Sequence, residues 1–255
     1  TFVGHTSGHW GEYFDPPLEY EGKMQREKGY IADICTNYAL NFIETNKEKT
    51  FLCYVPFTTP HSPWAAPKEN WDHFKDRNLT QHATDPAQED PSQTRCALAM
   101  VENQDANVGR ILAKLKELKL SEDTVFVFSS DNGFYLGEHN LGDKRTAYEE
   151  SMRIPMLVRY PRGVKAGRIE DRMVLNVDPA ATFLDLAGQP ASAAMHGRSW
   201  KPLMGGKSEV AWRDSFFYCY FYERNFNAPM TTAVRMADAK LIKYPGHDEW
   251  TEVFD

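Results

Sequence analysis

VFVFSSDNG, residues 125–133, is the stretch of sequence that decides the fold. Its β-branched and aromatic side chains at 125–128 predict a buried strand, and Gly133 lets the chain turn after it. Asp131 and Asn132 follow at the carboxyl end, where open α/β sheets place their ligands. A carboxylate beside an amide oxygen suits a hard cation such as Ca²⁺ or Mg²⁺. Asp-Asn-Gly is also an ordinary turn sequence, so the stretch by itself leaves a turn and a metal site as alternatives.

Strand and helix patterns alternate along the rest of the first 200 residues. Apolar runs predict further strands at 51–55 and 154–160. Helical spacing predicts a long helix at 92–118, while Asp178 and Gly188 mark the two ends of a shorter one. This alternation predicts a layered α/β fold, with a mostly parallel sheet flanked by helices.

Loops and a second domain complete the predicted organisation. Residues 1–30 and 64–91 lack a sustained period and are predicted to be surface loops, while Asp33 is predicted to cap the first helix. From residue 201 the pattern changes to short strands separated by turns, which predicts an antiparallel sheet. We therefore expect a partial α/β domain at 1–200 and a small, incomplete antiparallel subdomain at 201–255.

The composition excludes several classes of protein. With 42% hydrophobic and 25% charged residues the chain is typical of globular proteins, and its net charge of −7 argues against a nucleic-acid partner. No apolar run approaches the roughly 20 residues that a membrane span needs. The four cysteines lack the spacings of a zinc site or a disulfide framework, so we expect buried free thiols.

Three further segments accompany the Asp131-Asn132 pair. They are Thr59-Pro60-His61-Ser62-Pro63, Gly142-Asp143-Lys144-Arg145 and Tyr148-Glu149-Glu150-Ser151-Met152-Arg153-Ile154-Pro155. With them the chain resembles the sulfatase family of the alkaline-phosphatase-like superfamily, and it is most similar in pattern to bacterial sulfatases of sulfated sugars. The resemblance extends over nearly the whole chain. It implies an alkaline-phosphatase-like fold and a sulfuric ester hydrolase whose partner is a small anionic substrate, a sulfated carbohydrate.

The resemblance also implies roles for individual residues. Asp131 and Asn132 match a pair of metal ligands, with Ca²⁺ as the expected ion and Mg²⁺ as the alternative. Lys144 matches the lysine that holds the sulfate, and His61 matches the histidine that contacts the sulfate ester, so both are expected to be catalytic and substrate-binding. His139 is a further candidate for substrate contact. On the residues alone, a single histidine or lysine is more often an ordinary surface group.

Other charged and titratable residues are assigned structural roles. Arg153 is expected to pair with a loop carboxylate, and Glu149 and Glu150 to be structural partners rather than acid–base catalysts. Asp105 interrupts the apolar stripe of its helix and is expected to be hydrogen-bonded within the fold. Six histidines have no matching context and are expected to be structural or solvent-facing: His5, His9, His73, His82, His196 and His247.

The family's nucleophile motif does not occur in this sequence. Cys/Ser-x-Pro-x-Arg, in which the Cys or Ser becomes formylglycine, is absent, as are an early Asp-Asp metal pair and a Lys-x-His segment. We therefore expect an internal fragment that is inactive by itself, with formylglycine in a missing N-terminal part. The resemblance implies a periplasmic, secreted or lysosomal parent protein.

Two alternative functions and one geometric expectation complete the sequence analysis. Phosphodiesterases and phosphonate hydrolases of the same superfamily share much of this pattern of motifs. A non-catalytic pseudoenzyme fragment that keeps an anion-binding site is the other alternative. For the sulfatase interpretation we predict that the strands at 51–55 and 125–130 are neighbours, with His61 and Asp131 at the same edge of the sheet.

Overall fold

A computed structural model of the chain describes residues 3–4, 12–81, 83–206 and 209–255. The chain divides into two compact units, Thr1–Thr124 with Leu136–Asn140 and Val125–Tyr135 with Leu141–Asp255. The expectations for His5, His9 and His82 lie outside the described residues. A domain boundary at residue 201 stays a prediction.

A small antiparallel sheet opens the first unit. Its strands are β1 (Val3–Gly4), β2 (Pro17–Tyr20) and β3 (Lys23–Arg26), in that order. Glu21 and Gly22 join β2 to β3 with φ angles of 48° and 80°, as in the two-residue turns that match the twist of paired strands. The prediction of a loop over 1–30 is therefore wrong. Every side chain of β3 is exposed, so the apolar alternation that reveals a strand is missing there.

Three helices form most of the first unit: α1 (Ile31–Asn46), α2 (Lys68–Phe74) and α3 (Pro91–Glu117). α3 confirms the long helix predicted at 92–118. Asp90 caps it, because its carboxylate accepts hydrogen bonds from the backbone N–H groups of Ser92 and Gln93. α2 lies inside the predicted loop at 64–91, which is therefore wrong in part. Trp64 and Trp71 are half-buried and pack against the core of this unit.

Two aspartates of these helices differ from their predicted roles. α1 has Tyr30 at its N-cap, so Asp33 lies within the first turn and is not the cap. The Asp33 carboxylate instead accepts a 2.7 Å hydrogen bond from Nδ2 of Asn107 on α3. Asp105 is exposed rather than turned into the fold. The buried polar groups of α3 are Asn103 and Asn107, which lie two positions to either side of Asp105.

Residues 51–55 form no strand in the described part of the chain. Leu52 and Tyr54 are 71% and 81% exposed, while the residues beside them are half-buried. Exposure alternates as it does in a strand, but the backbone of this segment pairs with no described strand. The predicted strand at 51–55 is therefore wrong. Its placement beside 125–130 stays a prediction, because the two segments belong to different units.

In the second unit the deciding stretch forms β4 (Phe126–Ser129), as predicted. It pairs antiparallel with β7 (Met156–Arg159), which confirms the strand predicted at 154–160. The segment between them contains β5 (Tyr135–Leu136), β6 (Gly142–Asp143) and the one-turn helix α4 (Glu149–Met152). The α/β class is confirmed, whereas the mostly parallel sheet stays a prediction.

The rest of the second unit follows the sequence closely. α5 (Asp178–Leu186) ends before Gly188, whose φ of 70° explains the glycine, and the short α6 (Lys201–Met204) comes next. Four antiparallel strands then form one sheet in the order β11-β10-β9-β8. Their bounds are β8 Ser215–Tyr220, β9 Thr231–Met236, β10 Lys240–Lys243 and β11 Glu252–Phe254. This sheet confirms the antiparallel region predicted after residue 201.

The four cysteines are free thiols, as expected, but only one of them is fully buried. All four thiols are free, with Cys96 buried and Cys35, Cys53 and Cys219 partly buried. Burial raises the pKa of the Cys35 thiol to about 11. Within the described ranges, the chain has no helix with the length and apolar character to cross a membrane.

Candidate functional site

Asp131 and Asn132 follow directly on β4, in a turn whose backbone is held from several sides. Ser130 Oγ donates a 2.8 Å hydrogen bond to the Asn132 carbonyl, and Asn176 Nδ2 donates a 2.7 Å bond to the Asp131 carbonyl. The Asp131 side chain is exposed. The backbone of the pair is therefore fixed, while the exposed Asp131 carboxylate, which accepts a long 3.4 Å hydrogen bond from Ser130 Oγ, is available to a ligand.

The side chain of Asn132 is oriented by its own turn. Its Nδ2 donates a 2.7 Å hydrogen bond to the Gly133 carbonyl, so Oδ1 is the amide atom left for a cation. Gly133 packs against the backbone of α4, because a Cβ at this position would lie 1.9 Å from the Glu150 carbonyl oxygen. This close approach is why a glycine follows the pair.

The pair fits part of a shell for a hard divalent cation. Asp131 supplies a carboxylate and Asn132 an amide oxygen, the donor types that Ca²⁺ and Mg²⁺ prefer. Among the described residues no group of three or more His, Cys, Asp or Glu side chains is placed to hold a metal ion. Because Ca²⁺ takes about six to eight oxygen ligands and Mg²⁺ about six, the pair is an incomplete shell.

Lys144 and Arg145 are neighbours with different environments. Within the described residues the Lys144 ammonium makes no hydrogen bond or ion pair. Arg145 pairs with Asp143, lies 3.6 Å from Glu223, and has its guanidinium carbon 3.2 Å from the Phe226 ring centre. Burial opposes its charge and is the largest single influence, but the hydrogen bond and charge of Asp143, together with the charge of Glu223, outweigh burial and raise the pKa of Arg145. Lys144 is therefore the cation left to bind an anion.

Ser151 joins the metal pair to the lysine. Its backbone carbonyl accepts a 2.7 Å hydrogen bond from the Gly133 N–H, and its Oγ donates a 2.6 Å bond to the Lys144 carbonyl. The residue is only 4% exposed. One buried serine thus fixes both the turn that carries Asp131 and the loop that carries Lys144.

The antiparallel sheet of the second unit holds the same segment through polar side chains. Glu149 accepts hydrogen bonds from Arg235 Nε at 2.9 Å and Lys240 Nζ at 3.1 Å. Partial burial works to raise the pKa of Glu149, but these two cations outweigh it and lower the pKa. The Tyr148 hydroxyl donates to the Glu252 carboxylate at 2.9 Å. We refer to Arg235, Lys240 and Glu252, with their partners Tyr148 and Glu149, as the sheet clamp.

The sheet clamp confirms one structural expectation, and a second is wrong. Glu149 is a structural partner, as predicted. Arg153 is exposed, and its guanidinium pairs with no described residue, so the predicted pairing with a loop carboxylate is wrong. Its backbone N–H instead ends α4 with a 2.7 Å bond to the Glu149 carbonyl.

His139 lies in a loop of unusual backbone conformation. Gly137, His139, Asn140 and Asp143 have φ angles of 119°, 55°, 55° and 73°. Left-handed conformations at residues other than glycine cost on the order of 1 kcal/mol each and tend to occur at functional loops. His139 is exposed, and its contact with a substrate stays a prediction.

His61 belongs to a tight turn that Tyr13 anchors. The His61 N–H donates to the Thr58 carbonyl at 3.1 Å, and the Tyr13 hydroxyl lies 3.1 and 2.7 Å from the carbonyls of Thr58 and His61. His61 Nδ1 is 2.7 Å from the Ser62 carbonyl. Because a carbonyl only accepts, Nδ1 carries a proton in this contact.

Sequence analysis missed the residues that hold the candidate groups. Tyr13 is 3% exposed, and burial raises the pKa of its phenol to about 12. Ser151 stood inside a recognised motif without an assigned role, and Glu252 is separated from Tyr148 by 104 residues. His61 lies in the first unit and the other candidates, apart from His139, in the second. A single site built from both units stays a prediction.

Comparison with known proteins places these features in a family. A model of the sulfatase family matches residues 5–189, and a model of the C-terminal part of N-sulphoglucosamine sulphohydrolase matches residues 137–255. An N-acetylglucosamine-6-O-sulfatase of Bacteroides thetaiotaomicron is 29% identical, over 96% of this chain and 59% of its own length. The chain thus spans less than two thirds of that relative.

Solved structures agree in fold. A protein in complex with its substrate D-glucosamine-2-N,6-O-disulfate matches with a TM-score of 0.84 and 26% identity, over 99% of this chain and 68% of its own. The phosphonate monoester hydrolase of Agrobacterium radiobacter matches with a TM-score of 0.72 and 20% identity, over 89% and 55%. At that identity the second match supports the fold alone.

Proposed function

Because the chain belongs to the sulfatase family, we propose that the natural protein carrying this sequence hydrolyses a sulfate ester of a carbohydrate. The observation that carries the proposal is the double attachment at Ser151. It holds the Asp131-Asn132 oxygens and the unpaired Lys144 ammonium to one buried residue. Ser151 thus holds both a candidate site for a hard cation and a lysine ammonium that could bind an anion. Such an arrangement suits an oxyanion substrate whose oxygens contact the metal ion and the lysine at the same time.

A sulfated amino sugar is the substrate class that we propose. The bacterial relative is named for N-acetylglucosamine 6-O-sulfate, and the substrate of the structural neighbour is a glucosamine disulfate. Both names contain a 6-O-sulfated glucosamine. We infer the same class for this protein, with the 6-O-sulfate as the group that is removed.

The chain's own residues would act by charge and orientation. Asp131 and Asn132 would hold part of a divalent cation's shell, and Ca²⁺ is the ion that we propose, with Mg²⁺ as the alternative. When bound, such a cation neutralises charge on the sulfate oxygens. Lys144 is a compact charge suited to one sulfate oxygen, and His61 would donate a hydrogen bond to another or to the leaving group. His139 would contact the sugar.

The nucleophile lies outside the residues from which these roles are derived. Formylglycine, which sulfatases generally use, forms in a Cys/Ser-x-Pro-x-Arg motif that this sequence does not contain. The functions proposed for Lys144, His61 and the Asp131-Asn132 pair do not depend on that group, because these residues would bind the sulfate or the cation and none of them attacks the sulfur.

An assay of three esters tests the proposal. The natural protein, with added Ca²⁺ or Mg²⁺, is given N-acetylglucosamine 6-sulfate, an aryl sulfate and a phosphonate monoester. We expect metal-dependent turnover, with kcat/KM for the sulfated sugar highest by at least tenfold. A preference for the phosphonate ester would favour the alternative hydrolase. Binding of the sulfated sugar without turnover would favour the pseudoenzyme.

A further inference from the structure

A cavity of about 360 Å³ lies beside the turn that carries His61. Its lining includes Trp64, Trp71, Asp90, Ser92, Gln93 and Cys96. Trp64 follows His61 by three residues, so at most about 11 Å of chain separates their Cα atoms. No role in sulfate binding accounts for this cavity, since neither Lys144 nor the metal pair belongs to it.

The aromatic side of the cavity is held firmly. Trp64 and Trp71 are half-buried and pack against the core cluster that contains Tyr30 and Met100. The Tyr30 hydroxyl donates a 2.9 Å hydrogen bond to the carbonyl of Ala65, which fixes the chain between the two indoles. Large aromatic surfaces that are held in place before binding lose little entropy when a ligand packs on them.

Polar groups at the start of α3 also line the cavity. Asp90 uses one carboxylate oxygen, Oδ1, to cap the helix. The Ser92 hydroxyl and the Gln93 amide form no side-chain hydrogen bond with the described residues. A hydroxyl, an amide and a carboxylate oxygen that line the same cavity as two indoles are suited to a ligand with an apolar face and a rim of hydroxyl groups, as a pyranose has.

The charged side chains that line the cavity decide whether it suits a sulfated or an uncharged sugar. None of the eight described residues that line it is a lysine or arginine, and Asp90 is the one charged side chain among them. A sulfate group placed here would meet a carboxylate and no cation. The cavity therefore suits an uncharged sugar, in contrast to the region around Lys144.

We propose that this cavity binds an unsulfated sugar of the same glycan chain, next to the sulfated sugar that the enzyme processes. The inference rests on the proposed function for the identity of the glycan. Trp71 supplies the stacking surface, and Gln93 and Ser92 bind hydroxyl groups. The enzyme is then selective for an oligosaccharide over a monosaccharide.

Binding tests the proposal without requiring turnover. The natural protein is titrated calorimetrically with an N-acetylglucosamine tetrasaccharide that carries no sulfate. We expect Trp71→Ala to weaken its binding about tenfold. Ser92→Trp should do the same by filling the cavity from an exposed position, which guards against misfolding of the core variant. The matched control is Trp250→Ala, a 46% exposed tryptophan of the second unit, which should bind like the wild type.

The outcomes separate this inference from the proposed function. No binding of the unsulfated tetrasaccharide to the wild type, or equal binding to both cavity variants, would overturn the proposed subsite. Tighter binding of a tetrasaccharide that is sulfated on every sugar than of one sulfated on the terminal sugar alone, measured by the same titration, would overturn its preference for an uncharged ring. Tetrasaccharide binding that both variants weaken, without hydrolysis of any sulfate ester, would uphold the subsite and refute the sulfatase function.

Discussion

The His61 turn and the segment from Asp131 to Lys144 carry the candidate groups, but they are held in different ways. Tyr13 anchors the His61 turn from a buried position through carbonyl groups. The other segment depends on Ser151 and on the ion pairs of the sheet clamp. A neutral anchor is insensitive to salt and acid, whereas charged anchors at a partly exposed surface respond to both. We therefore expect the His61 turn and the segment from Asp131 to Lys144 to be destabilised under different conditions.

The largest effect that we expect comes from Lys144. Lys144→Ala in the natural protein should lower kcat/KM for the sulfated sugar by about 100- to 1000-fold, as when one stabilising donor is removed from a reacting oxyanion. Lys144→Arg should recover part of this loss, because it keeps the charge. The thermal midpoint should stay unchanged, since no described residue depends on the ammonium. Unaltered kinetics in Lys144→Ala would refute its role.

Ser151 should show the next largest effect, since it anchors both parts of the segment. Ser151→Ala removes the 2.6 Å bond to the Lys144 carbonyl and should destabilise the protein by about 1–2 kcal/mol. We also expect a roughly tenfold loss of kcat/KM, because Lys144 is then less well placed. Ser215→Ala, which alters a surface hydroxyl, is the control for denaturant unfolding and kinetics. A stability loss with unchanged kinetics would restrict Ser151 to a structural role.

Tyr13 tests the neutral anchor by its response to alkali. The pKa of its phenol is about 12 in the folded state and near 10 in the unfolded state. The folded state therefore keeps a proton that the unfolded state loses, and stability falls as the pH rises from about 10 to 12. Tyr13→Phe should cost about 1 kcal/mol at pH 7 and reduce this alkaline loss. Unfolding curves from pH 7 to 11 would measure both, and an identical alkaline slope in wild type and variant would contradict the assignment.

Glu149 tests the charged anchor, with the smallest effect. Its pKa is lowered when folded, so its stabilisation is present above the unfolded value near 4.5 and is lost as the pH falls through the folded pKa. Because its side chain is 45% exposed, Glu149→Gln should cost at most about 1 kcal/mol at pH 7. The difference from wild type should shrink in 1 M NaCl and below pH 4. A difference that is independent of both salt and pH would refute the clamp's electrostatic nature.

The sequence predicted those helices and strands whose apolar side chains recur with the period of a helix or a strand. β4, α3 and the last four strands have the apolar periodicity of their type, and they form where expected. β3 was missed because all its side chains are exposed. The strand at 51–55 was predicted from composition, although a strand also requires a neighbour that composition does not reveal.

For the candidate site, too, the sequence identified residues with a local motif and missed those that depend on distant parts of the fold. Motifs identified Asp131, Asn132, Lys144 and His61 as candidates, because these residue types in these contexts have a recognisable chemistry. The residues that anchor them belong to no motif that indicates this role. In the sequence Tyr13 resembles any buried tyrosine, and Ser151 resembles any serine of a short helix. Their importance arises from distances across the fold, which one sequence does not encode in a readable way.

Metal binding by variants of the Asp131-Asn132 pair is the most direct test of the site. The natural protein, freed of metal and titrated with Ca²⁺ and then Mg²⁺ in a calorimeter, should bind one ion of the preferred type per active site. Asp131→Ala removes a charged ligand and should weaken binding at least 100-fold, while Asn132→Ala removes a neutral one and should weaken it less. Wild-type affinity in Asp131→Ala would contradict the metal site and, with it, the functional interpretation of the stretch at 125–133.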